Sequence, residues 1–385
     1  MVMGALLILI GYFLGLYFFD RAIAGLVIAL LVWAILSLIG YFQGDSILLS
    51  MSGAKKIGRD DHPRLYNVVE EMKIASGLEK VPDIYIIDDP ALNAFATGRD
   101  PNRASVAITS GLLQKLNRDE LQGVIGHEIS HIKNRDVLLM AMCSILLGTI
   151  VLLAYYGSRF LFLGGRTGSR RSSSSGGGGQ GQIIILVVAL VFIILAPIFA
   201  QLIYFAISRK REYLADASSA LYTRYPEGLA SALEKLGTAT GQLKSANKAT
   251  APMYIVNPFR QKGMQASDLS STHPPISERI RILRAMAGAS FNDYDQAYRQ
   301  VHRGGQGVVP AASLAAATVP ITTTKLEGEA GELNEIQRAR ETSDVMWRLS
   351  NYSTITCDCG AKLRVPPQFT ESQIKCPRCG RTHQI

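Results

Sequence analysis

Four long stretches without a single charged residue dominate this chain and decide most of what it can become: Gly4 to Phe19, Ala22 to Phe42, Val137 to Gly157 and Ile183 to Ile207. A helix needs about 20 apolar residues to cross a bilayer core. The last three stretches meet that length and the first is marginal. Only Asp20 and Arg21 separate the first two. A secretory signal is the rival reading for the first, because Ala22-Ile23-Ala24 mimics a cleavage site. Its leading residues carry no basic charge, however, and another span follows at once, which favours a membrane hairpin. A buried core helix can be as apolar as the third or fourth stretch, but two in one modest domain would be unusual. Between these two lies Ser172 to Gly179, four serines and four glycines, which reads as a flexible loop.

The formal net charge of +9 raises the question of nucleic acid. Much of the positive charge borders the apolar stretches, and no basic patch interleaved with aromatics appears, so no nucleic-acid partner is expected. Charges beside spans report topology and lipid contact. Lys55, Lys56 and Arg59 follow the second span, Lys133 and Arg135 precede the third, and Arg209, Lys210 and Arg211 follow the fourth. Arg21, Arg159, Arg166, Arg170 and Arg171 lie on the other side. The balance favours a cytoplasmic face for the folded part, against the weight of the four loop arginines.

Outside the spans the pattern is mixed. His62 to Gly77 has helical spacing through Leu65, Val68, Val69 and Met72. Three strand-like pieces follow at Asp83 to Ile87, Ala91 to Thr97 and Ser105 to Thr109. Asn117 with Glu120 forms a capping-box pattern, and the helix it opens is expected to run on into the third span. Gly304 to Thr324 reads as linker, and Glu332 to Leu349 as a short helix.

That capped helix carries His127-Glu128-Ile129-Ser130-His131. Histidines four apart share a helix face, where two imidazoles can hold one metal. Glu128 stands beside them, placed to take a proton from a water that zinc has activated. A pair of surface histidines on an amphipathic helix is the plainer alternative. A catalytic zinc needs a third ligand. His131 lies six residues before the third stretch and Glu212 five after the fourth, so an antiparallel hairpin brings them to similar depth. Asp216, one turn on, could then accept the outer N–H of a ligand histidine. Equally, Glu212 could pair with Lys210 or Arg211 on a surface helix.

Gly126-His127-Glu128-Ile129-Ser130-His131, followed after a membrane hairpin by Arg211-Glu212-Tyr213-Leu214-Ala215-Asp216, resembles the HtpX family of membrane zinc peptidases, relatives of the CAAX prenyl peptidases. Asn93-Ala94-Phe95-Ala96-Thr97-Gly98 is similar to that family's edge strand, and Ser271-Thr272-His273-Pro274-Pro275 to its downstream His-Pro segment. The resemblance spans about residues 1 to 300. It implies that Glu212 is the third zinc ligand, that Glu128 is the general base, that Asn93 touches an extended substrate and that His273 stabilises the oxyanion. For His273 a simple helix-entry role fits equally well, and asparagine at position 93 also suits a turn.

Of the five cysteines, Cys143 sits in an apolar stretch, while Cys357, Cys359, Cys376 and Cys379 crowd the C-terminus. Two knuckles sixteen residues apart suit a tetrahedral structural zinc in a reducing compartment, although the first is one residue tighter than C-x2-C. Iron or a redox pair is the alternative. The resemblance does not account for this module.

These readings describe an α+β chain: a mainly helical, zincin-like metallopeptidase domain with a small sheet, four transmembrane helices and a C-terminal zinc ribbon. The expected division is a membrane hairpin at 1–43, catalytic segments at 44–136 and 208–303, a second hairpin at 137–207, a linker at 304–345 and the ribbon module at 346–385. The expected cofactors are one catalytic and one structural zinc. The expected activity is endopeptidase cleavage of membrane or membrane-associated proteins, misfolded ones in particular, at a bacterial plasma membrane. A metal-binding scaffold with an idle centre is the competing class. Retention of Glu128, which coordinates nothing, beside both histidines and Glu212 argues for catalysis. A prenyl-protein peptidase fits the chemistry but lacks the larger set of spans expected of that relative.

Overall fold

The computed structural model describes residues 2–164, 179–239, 254–255, 273–315, 333–370 and 372–384. All of the Ser/Gly tract except Gly179 lies outside these residues, as do Ser271 and Thr272 and the linker residues 316–332.

Helix α1 (Val2–Phe19) turns at Asp20, whose φ is 50°, into α2 (Ala22–Met51). The two pack so closely that a Cβ added at Gly25 would collide with the backbone of Gly11 and Gly15. Beyond α2 the chain enters a four-stranded sheet. It comprises β1 (Lys55–Ile57), β2 (Asp83–Ile87), β3 (Ala94–Thr97) and β4 (Ser105–Thr109), in the order β1-β2-β4-β3. Strands β2 and β4 are parallel and the other pairs antiparallel, which leaves β3 at one edge. β3 is shorter than the pattern suggests: Asp89 turns the chain by accepting from the Ala91 N–H at 2.8 Å. Helix α3 (Pro63–Ser76) starts with proline, is capped by His62 Nδ1 on the Leu65 N–H at 3.3 Å, and ends at Gly77 with φ 71°. Leu65, Val68, Val69 and Met72 turn into the core.

Helix α4 (Ser110–Lys115) leads into α5 (Arg118–Lys133), whose capping box forms in both directions, each bond 2.9 Å long. Contrary to expectation, α5 does not run on into the membrane. It ends at Asn134, Arg135 takes φ 55°, and α6 (Asp136–Gly164) begins afresh. A non-glycine residue at positive φ cannot continue a right-handed helix. The fourth apolar stretch behaves differently, since α7 (Gly179–Thr223) runs unbroken past Glu212 and Asp216. Helices α1, α2, α6 and α7 are long and apolar enough to cross a membrane. They pack on one another around Ile10, Ala29, Ile150 and Ala196, and leave side chains such as Leu31, Ile35 and Ile194 facing outward, where lipid is their natural solvent.

Helices α8 (Pro226–Thr238), α9 (Ile276–Arg284) and α10 (Phe291–Val301) close over α5 and α7, and α11 (Ala311–Ala315) follows. Helix α12 (Glu335–Leu349) begins inside the stretch read as linker and lies against α4. It sends Val345 and Met346 into the same core as α5. Buried Arg338 donates to the Gln114 carbonyl at 3.2 Å. The chain ends in two hairpins, β5 (Ser353–Thr356) with β6 (Lys362–Val365) and β7 (Gln373–Lys375) with β8 (Thr382–Gln384). The chain is thus mainly helical with small sheets, as its sequence suggests.

Candidate active site

Helix α5 packs between α3, α8 and α7, so its histidine face meets the part of α7 that carries Glu212. His127 Nε2 and His131 Nε2 approach to 3.2 Å, and Glu212 lies 3.6 Å from the first and 3.5 Å from the second. The three donor atoms fall within 4.8 Å of one another. His127 is wholly buried and Glu212 6% exposed.

What the outer nitrogens do decides what the inner ones can be. His127 Nδ1 meets Asp216 at 3.0 Å, and His131 Nδ1 meets Asp136 at 2.9 Å. Each carboxylate accepts from the outer ring N–H, so the two Nε2 atoms point at each other and at a carboxylate. Burial works against charge on both imidazoles, but hydrogen bonds to the surrounding carboxylates outweigh it and push both towards protonation, His131 most. The cluster demands positive charge at its centre. A zinc ion among two imidazole nitrogens and one carboxylate meets that demand and leaves one position open. Glu212 Oε2 is buried without a hydrogen bond, as a metal ligand would be.

Glu128 is 1% exposed. Burial pushes its carboxyl up, while the neighbouring imidazoles and a backbone hydrogen bond from Ala96 pull it down. Ala96 belongs to edge strand β3, so the glutamate touches that strand. Asn93 stands at the start of that strand, buried; its N–H donates to Thr109 Oγ1 at 3.0 Å, and its Oδ1 accepts from the Ala94 N–H at 3.1 Å. On the open edge, the Ala94 carbonyl accepts from the Ile255 N–H at 3.0 Å, and Tyr254 sets its ring against Phe95 with centroids 5.2 Å apart. His273 Nε2 lies 3.9 Å from Glu212. Burial pushes the His273 imidazole down, and the charge on Arg279 adds to this.

Two residues of the cluster escape a sequence reading. Arg279, wholly buried on α9, donates through Nε and Nη2 to Asp216 at 2.8 and 2.6 Å and lies 3.4 Å from Glu212. It stands with Ile282 and Leu283 at i, i+3 and i+4 spacing, an arginine where an amphipathic pattern calls for an apolar residue, and that was its one signal. Asp136 was hidden by the expectation of an unbroken helix.

Residues 60–287 match peptidase family M48. The chain belongs to that family. This M48 peptidase is 46% identical over 269 residues to a protein of Dictyoglomus turgidum named Protease HtpX homolog, covering 70% of this chain and 84% of that one. A protein of the same name from Streptococcus pneumoniae is 44% identical over 286 residues, covering 74% and 94%. Among solved structures, Ste24p of S. mikatae is similar at 20% identity and a TM-score of 0.44, over 73% of this chain and 62% of that chain. The protein is therefore a membrane metallopeptidase, with polypeptide substrates and a zinc cofactor.

At the C-terminus of this M48 peptidase, beyond the family match, the sulfurs of Cys357, Cys359, Cys376 and Cys379 also fall within 4.8 Å of one another. Each pair sits in a turn tightened by matching backbone bonds, Gly360 N–H to Cys357 O at 2.8 Å and Gly380 N–H to Cys376 O at 2.9 Å. Both glycines have positive φ, 79° and 74°, which spares a side chain the strain. Backbone N–H groups of Cys379 and Arg378 pull the Cys376 thiol down to about 6, towards the thiolate a metal needs.

Proposed function

We propose that this protein is a zinc endopeptidase that cleaves membrane or membrane-associated polypeptides, misfolded ones in particular, from the cytoplasmic side of a bacterial plasma membrane. The observation that carries this reading is the meeting of His127 Nε2, His131 Nε2 and a Glu212 oxygen beside buried Glu128. His127, His131 and Glu212 would hold the zinc, which would supply Lewis acidity by lowering the pKa of a water and polarising the scissile carbonyl.

Glu128 takes the proton of the attacking water and returns it to the leaving amine. Its burial keeps it basic enough to accept that proton. Edge strand β3 runs past Glu128, to which the Ala96 N–H donates, and a substrate added as a strand would take the Ala94 carbonyl from the Ile255 N–H. His273, beside Glu212, is placed to donate to the developing oxyanion. Asp216 holds His127 in the tautomer that turns Nε2 inward. Cys357, Cys359, Cys376 and Cys379 would hold a second zinc, which would staple the two hairpins together. The cytoplasmic orientation rests on the basic residues flanking the spans.

The test is proteolysis of an unfolded model protein by the detergent-purified chain, wild type against Glu128→Gln, with zinc quantified in both. The variant should keep its zinc and lose about a hundred- to ten-thousandfold in rate. Full zinc loading with equal inertness of both proteins, across substrates and detergents, would overturn the reading in favour of a scaffold.

A further inference from the structure

His131 sits in the last turn of α5, the least restrained part of that helix, and its ring orientation depends on what grips the outer nitrogen. That grip comes from Asp136, buried at the first turn of α6. Five residues of unbroken helix rotate a side chain by about 500°, which leaves it about 140° away around the axis. On a continuous helix Asp136 would therefore face away from His131. The break at Asn134 and Arg135, with φ 55° at the arginine, turns the chain so that the carboxylate reaches back to Nδ1 at 2.9 Å.

The other carboxylate oxygen of Asp136 contacts Arg211 on α7, and Arg211 Nη2 also donates to the Asn134 carbonyl at 3.4 Å. One guanidinium thus ties together the end of α5, the start of α6 and the helix that carries Glu212.

We infer that Asp136 is a positioning residue for His131, that Arg211 holds its carboxylate in place, and that the interruption between α5 and α6 serves this contact. The inference rests on the reading of His131 as a metal ligand. The cytoplasmic ends of the third and fourth spans then form part of the metal centre. Asp136 fixes the His131 tautomer with Nε2 bare and raises the basicity of that nitrogen, as carboxylates do for zinc-bound imidazoles in general. Arg211 Nη2, in contact with both Asp136 Oδ1 and the Asn134 carbonyl, holds the carboxylate where it faces His131.

The experiment titrates the full-length, detergent-purified, metal-stripped chain with zinc against a chelator, and with cobalt followed by visible absorption. Cobalt at the cysteines absorbs through thiolate charge transfer and reports on the C-terminal module separately, while circular dichroism reports on folding of the whole chain. Asp136→Ala should weaken metal binding at the histidine centre by about ten- to a hundredfold, shift the cobalt d–d bands and leave the thiolate signal intact. Asp136→Asn, which keeps an acceptor but loses the charge, should fall between wild type and alanine. Arg211→Lys should reproduce a milder form of the same shift. Should Asp136→Ala fail to fold, the asparagine and lysine variants decide the matter. Unchanged affinity and an unchanged d–d spectrum in folded variants would overturn the inference. If His131→Ala binds metal as well as wild type does, the underlying ligand reading is the one that fails.

Discussion

Arg279 grips both oxygens of Asp216 with Nε and Nη2, and neither side chain has any solvent exposure. Asp216 in turn meets His127, and the same guanidinium lies 3.4 Å from Glu212, so a side chain on α9 supports two of the proposed metal ligands. Removing one member of a buried ion pair strands the other, at a cost of about 3–5 kcal/mol. Arg279→Met should therefore lower the unfolding free energy by that amount and reduce zinc content. Combining it with Asp216→Asn should recover part of the stability. A double variant that loses the sum of the two single losses, measured by denaturant unfolding, would show that the pair is not coupled.

His62 gives a pH signature. Burial, and then the charge of Arg64, push its imidazole down to about 4. Glu341 lies 3.7 Å from Nδ1, but that nitrogen already accepts the Leu65 N–H. The folded pKa is below the unfolded value of about 6.5, so protons bind the unfolded chain preferentially. Stability is complete above about pH 6.5 and falls as pH drops towards 4. At pH 5 the loss from this group is about 2 kcal/mol. His62→Asn keeps a cap acceptor and does not titrate, so its stability between pH 7 and 5 should fall by about that much less than wild type. Parallel pH profiles would contradict the assignment.

The cysteine cluster predicts a metal count. Wild type should carry two zinc ions per chain, and the double variant Cys357→Ser, Cys376→Ser should carry one. The small hairpins β5–β6 and β7–β8 have little core beyond Cys357, Leu363 and Cys376, so without metal they should open to limited proteolysis. Cleavage of an unfolded substrate should survive. A metal count that stays at two would remove the ribbon assignment.

Within the membrane, glycine spacing sets how closely α1 and α2 approach. Gly25→Leu must drive the helices apart, at a cost of 1–3 kcal/mol or about that, because a Cβ there meets the backbone of Gly11 and Gly15. Gly44→Leu is the control, since a Cβ at Gly44 meets nothing within 4 Å. Thermal aggregation in detergent should begin earlier for the first variant alone.

Much of this architecture can be read from residues. Absence of charge marks the four spans, and the Asn117–Glu120 box marks the start of α5. Asp83–Ile87 and Ser105–Thr109 are strands over the expected bounds because alternating and β-branched residues fill them. The meeting of α5 with α7 follows from the antiparallel pairing of α6 with α7, which brings the residues just before α6 beside the last turns of α7. Other features carry no local signal. Nothing about an arginine announces positive φ, so the break at Arg135, and with it the reach of Asp136, stays hidden. Three-residue β1 is too short to show a period. Arg279 and Ile255 act through contacts made more than twenty residues away; periodicity marks Arg279 as facing inward but does not name its partners.

Helix α12 begins well past residue 287, where the family match ends, yet Val345 and Met346 lie in the protein's main core. An appendage on a loose tether can be gained or lost with little effect on its host. One that has become interior cannot. Val345 and Met346 share that core with Leu112 and Leu113 of α4. Deleting the tail would bare an apolar surface to water, so the C-terminal segment is structural interior and not a detachable passenger.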